Sequence, residues 1–220
     1  MPVHYKGLVL ETSDDVYVPA EDSFLLADNL GVGGGRVLDV GTGCGLQALV
    51  AARSADYVLG VDVNPAAVEL ARRNAEANGI GNAGFRVSDL FDCVGGRFDY
   101  IVFNPPYLPV RDEGGVTKAW AGGALGVELI SRFIDGAGGH LNPGGAVALL
   151  VSSLNDVDEV MEGMRARGFT PAVKASRKLF FEELYVVRAA YKKLLAKTNS
   201  FWYTQSANCP WMNRLCVYKR

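Results

Sequence analysis

Arg36-Val37-Leu38-Asp39-Val40-Gly41-Thr42-Gly43-Cys44-Gly45 is the stretch on which the reading of this chain turns. Its first five residues have the length and apolar, β-branched composition of a buried strand. Glycine at every second position beyond them lets the backbone turn tightly and approach a ligand with no Cβ in the way. Residues 45–52 then read as a helix. The Gly-x-Gly-x-Gly spacing is not the Gly-x-Gly-x-x-Gly that seats a dinucleotide pyrophosphate on a helix end. Working outward, residues 57–62 form the next strand. Asn64 as N-cap and Pro65 at the first helical position open a helix that Asn78-Gly79 stops. Residues 85–88, 100–103 and 146–151 read as further strands, with helices near 126–137 and 156–167, and a closing pair near 170–175 and 183–188. Strands alternating with helices predict an α/β fold, a seven-stranded, mostly parallel sheet covered on both faces. The last two strands follow each other with no helix between them, so the final one is expected to run antiparallel.

The chain has 220 residues, of which 49% are hydrophobic and 21% charged, enough for one domain that needs neither disulfide nor metal to fold. No apolar run reaches the roughly 18 residues of a membrane span, and Met1 to Lys6 lacks a basic stretch leading into an apolar one. Cys44, Cys93, Cys209 and Cys216 form no Cys-x-x-Cys pair, and His4 and His140 are the two histidines, so no metal site is expected. Isolated thiols without a leader read as a cytoplasmic protein. The whole chain carries a net charge of −2, but residues 191–220 hold six basic residues and no acid, so the first 190 residues stand at −8. An acidic body argues against broad phosphate-backbone binding and makes nucleic acid an unlikely partner. Three parts are expected: a lead with a short helix over 1–35, the α/β domain over 36–190, and a basic tail over 191–220 of no assigned role.

Three sites at strand ends carry chemistry. Beside the glycine loop, Asp62 ends the second strand, where a carboxylate can accept both ribose hydroxyls of a nucleoside. Asp89-Leu90 follows the third, where the acid can accept an adenine amino hydrogen and the leucine can pack on the ring. A glycine loop and two acids on three successive strand ends are the layout of an S-adenosylmethionine pocket, outside the carboxyl ends of the strands. Asn104-Pro105-Pro106-Tyr107 ends the fourth strand. An amide –NH2 is a poor nucleophile, because its lone pair is conjugated with the carbonyl. The Asn104 side-chain oxygen and the Pro105 carbonyl can accept its two hydrogens, aim the nitrogen and stabilise charge developing on it. Pro105 and Pro106 stiffen the loop, and Tyr107 offers a flat face to a planar group. Upstream, Tyr17-Val18-Pro19-Ala20-Glu21-Asp22-Ser23-Phe24 reads as a helix entrance with acids at the positive end of the dipole.

Taken together, these motifs and Ala119-Trp120-Ala121-Gly122-Gly123 resemble the HemK/PrmC-type protein-glutamine N5-methyltransferases, in their short archaeal and eukaryotic branch, over about residues 16–189. The resemblance implies a Rossmann-like class I methyltransferase fold and S-adenosylmethionine as cofactor. It places Ser23, Asp39, Gly41, Gly43, Asp62, Asp89, Leu90 and Asn104 at that cofactor, and Pro105, Pro106 and Tyr107 in the substrate slot with Asn104. The implied target is the glutamine of the Gly-Gly-Gln loop of a class I translation termination factor. The implied partner is a small zinc-binding activator that forms a heterodimer by pairing with a sheet edge, for which residues 85–88 are the expected strand. Bacterial relatives carry an N-terminal helical domain that this chain is expected to lack. Cys44 reads as a small filler in the loop, and His140 as a surface residue in a glycine-rich turn. Two further substrate classes fit the same slot: an exocyclic amine of adenine or guanine flipped out of DNA or RNA, and a lysine side chain. A non-catalytic scaffold would be expected to have a damaged Asn104 or glycine loop, and both are intact.

Overall fold

The computed structural model describes residues 1–106 and 124–192. Its centre is a seven-stranded sheet in the order β5-β4-β3-β6-β7-β9-β8. The strands are β3 (Arg36–Val40), β4 (Tyr57–Asp62), β5 (Ala83–Val87), β6 (Phe98–Phe103), β7 (Leu141–Ser152), β8 (Phe169–Lys178) and β9 (Glu183–Tyr191). Neighbours from β5 to β7 pair in parallel, and β9 runs antiparallel to both β7 and β8. The expected topology and the antiparallel last strand are both found.

Side chains alternate across this sheet, as the pleat requires. Leu38, Ile101, Val147 and Leu149 face α4 (Ala124–His140) and α5 (Val157–Ala166), where Phe133 and Met164 complete one core. Val37, Tyr100, Val102 and Ala148 face α1 (Glu21–Asp28) and α2 (Leu46–Ala51). On that second side α3 (Pro65–Ala77) joins α2 in a further cluster through Leu46, Leu49 and Leu70. Asn64 caps α3 by accepting the Ala66 N–H at 2.9 Å, with Pro65 behind it, as expected.

Three details differ from the sequence reading. The lead holds more than the one short helix expected: β1 (Val3–Tyr5) and β2 (Leu8–Leu10) form a hairpin. Lys6 and Gly7 join the two strands, both at positive φ, as a two-residue hairpin loop favours. The second difference is at His140, which is not in a surface turn. α4 runs through Gly138-Gly139-His140 and β7 starts at the next residue. The imidazole sits edge-on to Phe91, 4.7 Å between centroids, and burial holds its pKa below the usual histidine value. Third, β9 continues to Tyr191, whose ring packs 5.0 Å from Phe169, so the folded body includes that residue.

The hairpin is fastened by two asparagines of the α3 region. Buried Asn74 accepts the Glu11 N–H at 2.7 Å and donates to the carbonyls of Glu11 and Cys44. Asn78 accepts from Val9 N and donates back to Val9 O, each near 2.9 Å, mimicking a strand partner. Asn74 thus ties the lead to the glycine loop. Asn74→Ala strands the buried Cys44 carbonyl and the part-buried backbone groups of Glu11, and should cost about 2–3 kcal/mol. The more exposed Asn78→Ala should cost about 1 kcal/mol. Urea denaturation of the two variants checks the ranking.

Candidate active site

The carboxyl ends of β3, β4, β5 and β6 meet the start of α1 around a cavity of about 430 Å3, within the range of small-molecule sites. Ser23, Gly41, Gly43, Asp62, Asp89, Leu90, Asn104, Pro105 and Pro106 all lie on its wall. The structure therefore brings together most of the residues singled out in sequence. Asp39 stands behind the wall, and Tyr107 lies outside the described residues.

The glycine loop has the strained geometry its composition permits. Gly41, Gly43 and Gly45 take φ of 64°, 54° and 92°, values that cost an ordinary residue about 1–2 kcal/mol. Thr42 N–H donates to Val61 O, which keeps the loop against β4. Asp39 organises the loop from below: its Oδ2 accepts from Thr42 Oγ1 at 2.6 Å and Ala48 N at 3.0 Å, joining β3 to α2. Cys44 is buried and its thiol is pushed up to about 11 by that burial, fitting a filler and not a reactive thiolate.

Asp62 is largely buried. Its Oδ2 accepts from Gly43 N and its Oδ1 from Asn64 N, each at 2.9 Å. Burial holds its pKa above the ordinary aspartate value in spite of those bonds. Each oxygen retains a lone pair for a diol. At the end of β5, Leu90 stands at φ 46°, the left-handed region that a leucine rarely enters. The Ser88 hydroxyl holds this turn, donating to Leu90 O and accepting from Cys93 N. Asp89 is half exposed and its Oδ2 receives Arg132 at 3.0 Å, which leaves Oδ1 for a ligand.

At the end of β6, Asn104 donates its Nδ2 to Asp22 Oδ2 at 2.9 Å and Ser23 Oγ at 3.3 Å. Its Oδ1 is buried and has no partner among the described residues. Gln47 repeats the arrangement: Nε2 donates to Ser23 O at 2.8 Å, and Oε1 has no partner among the described residues. Two amide oxygens on the cavity wall are thus free to accept hydrogens. Native proteins satisfy nearly all such buried atoms, so these two mark where a ligand with N–H groups would sit. Gln47, Ser88 and Asp22 were not singled out for the site in sequence. Gln47 and Ser88 lack a distinctive motif, and Asp22 could be read only as a helix-entrance acid.

Residues 20–174 match the family model "Methyltransferase small domain". The chain belongs to this family, in its HemK-type protein N5-glutamine methyltransferase group. It is 41% identical over 195 residues to a candidate protein N5-glutamine methyltransferase of Methanocaldococcus jannaschii, covering 86% of this chain and 98% of that one. It is 33% identical over 192 residues to the methyltransferase HEMK2 of Mus musculus, covering 79% and 89%. Among solved structures it is similar to the E. cuniculi Mtq2–Trm112 complex, responsible for methylation of the eRF1 termination factor. There the TM-score is 0.64 and the identity 28%, covering 81% of this chain and 99% of that one. The chain is a methyltransferase with the Rossmann-like fold expected from its sequence.

Burial pushes the Asp39 carboxyl up to about 7. The folded chain keeps that proton to about pH 7, whereas an unfolded aspartate releases it near pH 4. Its contribution to stability is therefore complete below about pH 4 and lost as pH rises through about 7. Asp39→Asn, which can still accept both hydrogen bonds, should gain stability relative to the parent as pH rises from 5 to 8. Chemical denaturation at several pH values checks it; a difference independent of pH would contradict the assignment.

Proposed function

We propose that this methyltransferase uses S-adenosylmethionine to methylate the side-chain amide nitrogen of the glutamine in the Gly-Gly-Gln motif of a class I translation termination factor. The observation that carries this reading is the unpaired Asn104 Oδ1, beside Pro105 on the cavity wall.

The residues fit the cofactor chemically. Asp62 offers acceptors for a ribose diol, Asp89 and Leu90 an acceptor and a face for adenine, and the glycine loop an approach with no side chains in the way. Bound there, S-adenosylmethionine supplies an electrophilic methyl group on a sulfonium. The chain itself orients the target nitrogen. Asn104 Oδ1 and the Pro105 carbonyl accept its two hydrogens, hold its lone pair toward the cavity and stabilise the positive charge that grows on it. No strong base is required, because the alkylated amide nitrogen is acidic and yields its proton to water or a weak acceptor.

The relative from M. jannaschii supports the glutamine target, and the Mtq2–Trm112 complex supports a termination factor. That complex also supports a small partner, for which we propose a zinc-binding activator forming a heterodimer. β5 is the better of the two sheet edges for it. β8 carries Pro171, Lys174, Arg177 and Lys178, which discourage pairing, whereas β5 reads Ala-Gly-Phe-Arg-Val with one charge. Such a substrate puts the enzyme in the cytoplasm.

Labelled S-adenosylmethionine offered with the termination factor should label the native factor and not its Gly-Gly-Gln→Gly-Gly-Ala form, with a gain on adding the activator. Transfer to DNA, RNA or lysine instead would overturn the reading. Asn104→Ala should lower transfer by at least about 100-fold, as for loss of a preorganised electrostatic contact. Calorimetric titration should show cofactor binding largely retained.

A further inference from the structure

We propose that Asp22 is the positioning residue of this active site, selecting the one orientation of the Asn104 amide that leaves its oxygen free for substrate. The inference deepens the amide-methylation reading above and rests on it for its kinetic test alone.

An asparagine side chain has two nearly isosteric orientations, related by a half-turn about its last bond, which exchange an acceptor for a donor. In the cavity only one of them is useful: an outward NH2 would oppose the NH2 of a target amide, donor against donor. What decides between them is the group that meets the Asn104 amide on the cavity wall, and there the structure holds Asp22. Asp22 is 3% exposed, on the first turn of α1, and its side chain takes no part in capping that helix. Its partners among the described residues are three neutral donors. Tyr17 Oη and Ser23 Oγ donate to Oδ1 at 3.0 and 3.2 Å, and Asn104 Nδ2 donates to Oδ2 at 2.9 Å.

A buried carboxyl group is expensive unless its acceptors are filled, and here the environment fills them. Turning Asn104 over would set Oδ1 against Asp22 Oδ2 at hydrogen-bond distance with no hydrogen between them. That orientation is repulsive, whereas the observed one forms a charge-assisted bond. Tyr17 and Ser23 restrain the carboxyl in turn. Ser23 Oγ also receives Asn104 Nδ2 at 3.3 Å, so the Asn104 NH2 is taken up by Asp22 and Ser23. A Ser-to-Asn bond alone would not select an orientation, since a hydroxyl can donate as well as accept. Asp22, acceptor-only as a carboxylate, selects it.

The decisive variant is Asp22→Asn, which keeps shape and burial but can meet Asn104 with either end of its own amide. Its kcat on the termination factor should fall about ten- to hundredfold, the scale of a misplaced catalytic group. KM for the factor and Kd for S-adenosylhomocysteine should stay within about threefold. Retained kcat, or a Kd that collapses together with kcat, would overturn the proposal. An activity-free measurement runs beside it: the side-chain NH2 resonances of Asn104 in 15N-labelled protein, assigned by their loss in Asn104→Ala. In the parent, at least one of these hydrogens should be shifted downfield and protected from solvent exchange. Unshifted, unprotected hydrogens in the parent would overturn the proposal even if Asp22→Asn failed to fold. If the parent methylates no termination factor, the glutamine reading fails, and these resonances alone decide the role of Asp22.

Discussion

The bond between Asn104 and Asp22 joins residues 82 positions apart in the chain, and the site depends on it. Asn104 sits at the end of a central strand, on a backbone that the sheet makes rigid. Asp22 belongs to a lead of 35 residues that contributes no strand to the large sheet. For the two to meet, the lead must be held across the strand ends. Asn74 and Asn78 dock the hairpin on α3, and Asn64 Nδ2 donates to Asp15 O at 2.8 Å. The lead therefore supplies part of the cavity wall through Val16, Tyr17, Asp22 and Ser23, and its folding completes the active site.

Local conformational cost is concentrated around that cavity. The glycine loop, the left-handed Leu90 and the buried carboxyl of Asp39 are each unfavourable alone. They persist because the sheet over-determines them: Thr42 and Ala48 hold Asp39, Ser88 holds the Leu90 turn, and Gly43 holds Asp62. Such strain recurs where backbone must present polar groups to a ligand. It yields a preformed cradle, so binding there need not order the loops that make it.

Much of this was legible in sequence because the sheet is nearly two-sided. Strands buried on both faces read as short apolar runs, such as Val37-Leu38-Asp39-Val40 and Tyr100-Ile101-Val102-Phe103, and the chemistry of parallel sheets sits at their ends. What escaped has physical causes. The strands of the lead hairpin have three residues each, too short for periodicity, and Lys6-Gly7 was the available signal. The glycines and proline of residues 138–145 looked like one turn, but α4 runs through Gly138 and Gly139, and Tyr191 packs closely on Gly138, where a larger side chain would collide. Asp22 carries a role set by a partner far along the chain, which no local pattern announces.

The central claim is that Asn104 presents its side-chain oxygen, and not its nitrogen, to the nitrogen that is methylated. A crystal structure with S-adenosylhomocysteine and a peptide bearing Gly-Gly-Gln tests it most directly. The account predicts the glutamine NH2 within about 3 Å of Asn104 Oδ1 and the Pro105 carbonyl, with Asn104 Nδ2 still on Asp22. A glutamine bound with its carbonyl toward Asn104, or lodged away from it, would contradict the account.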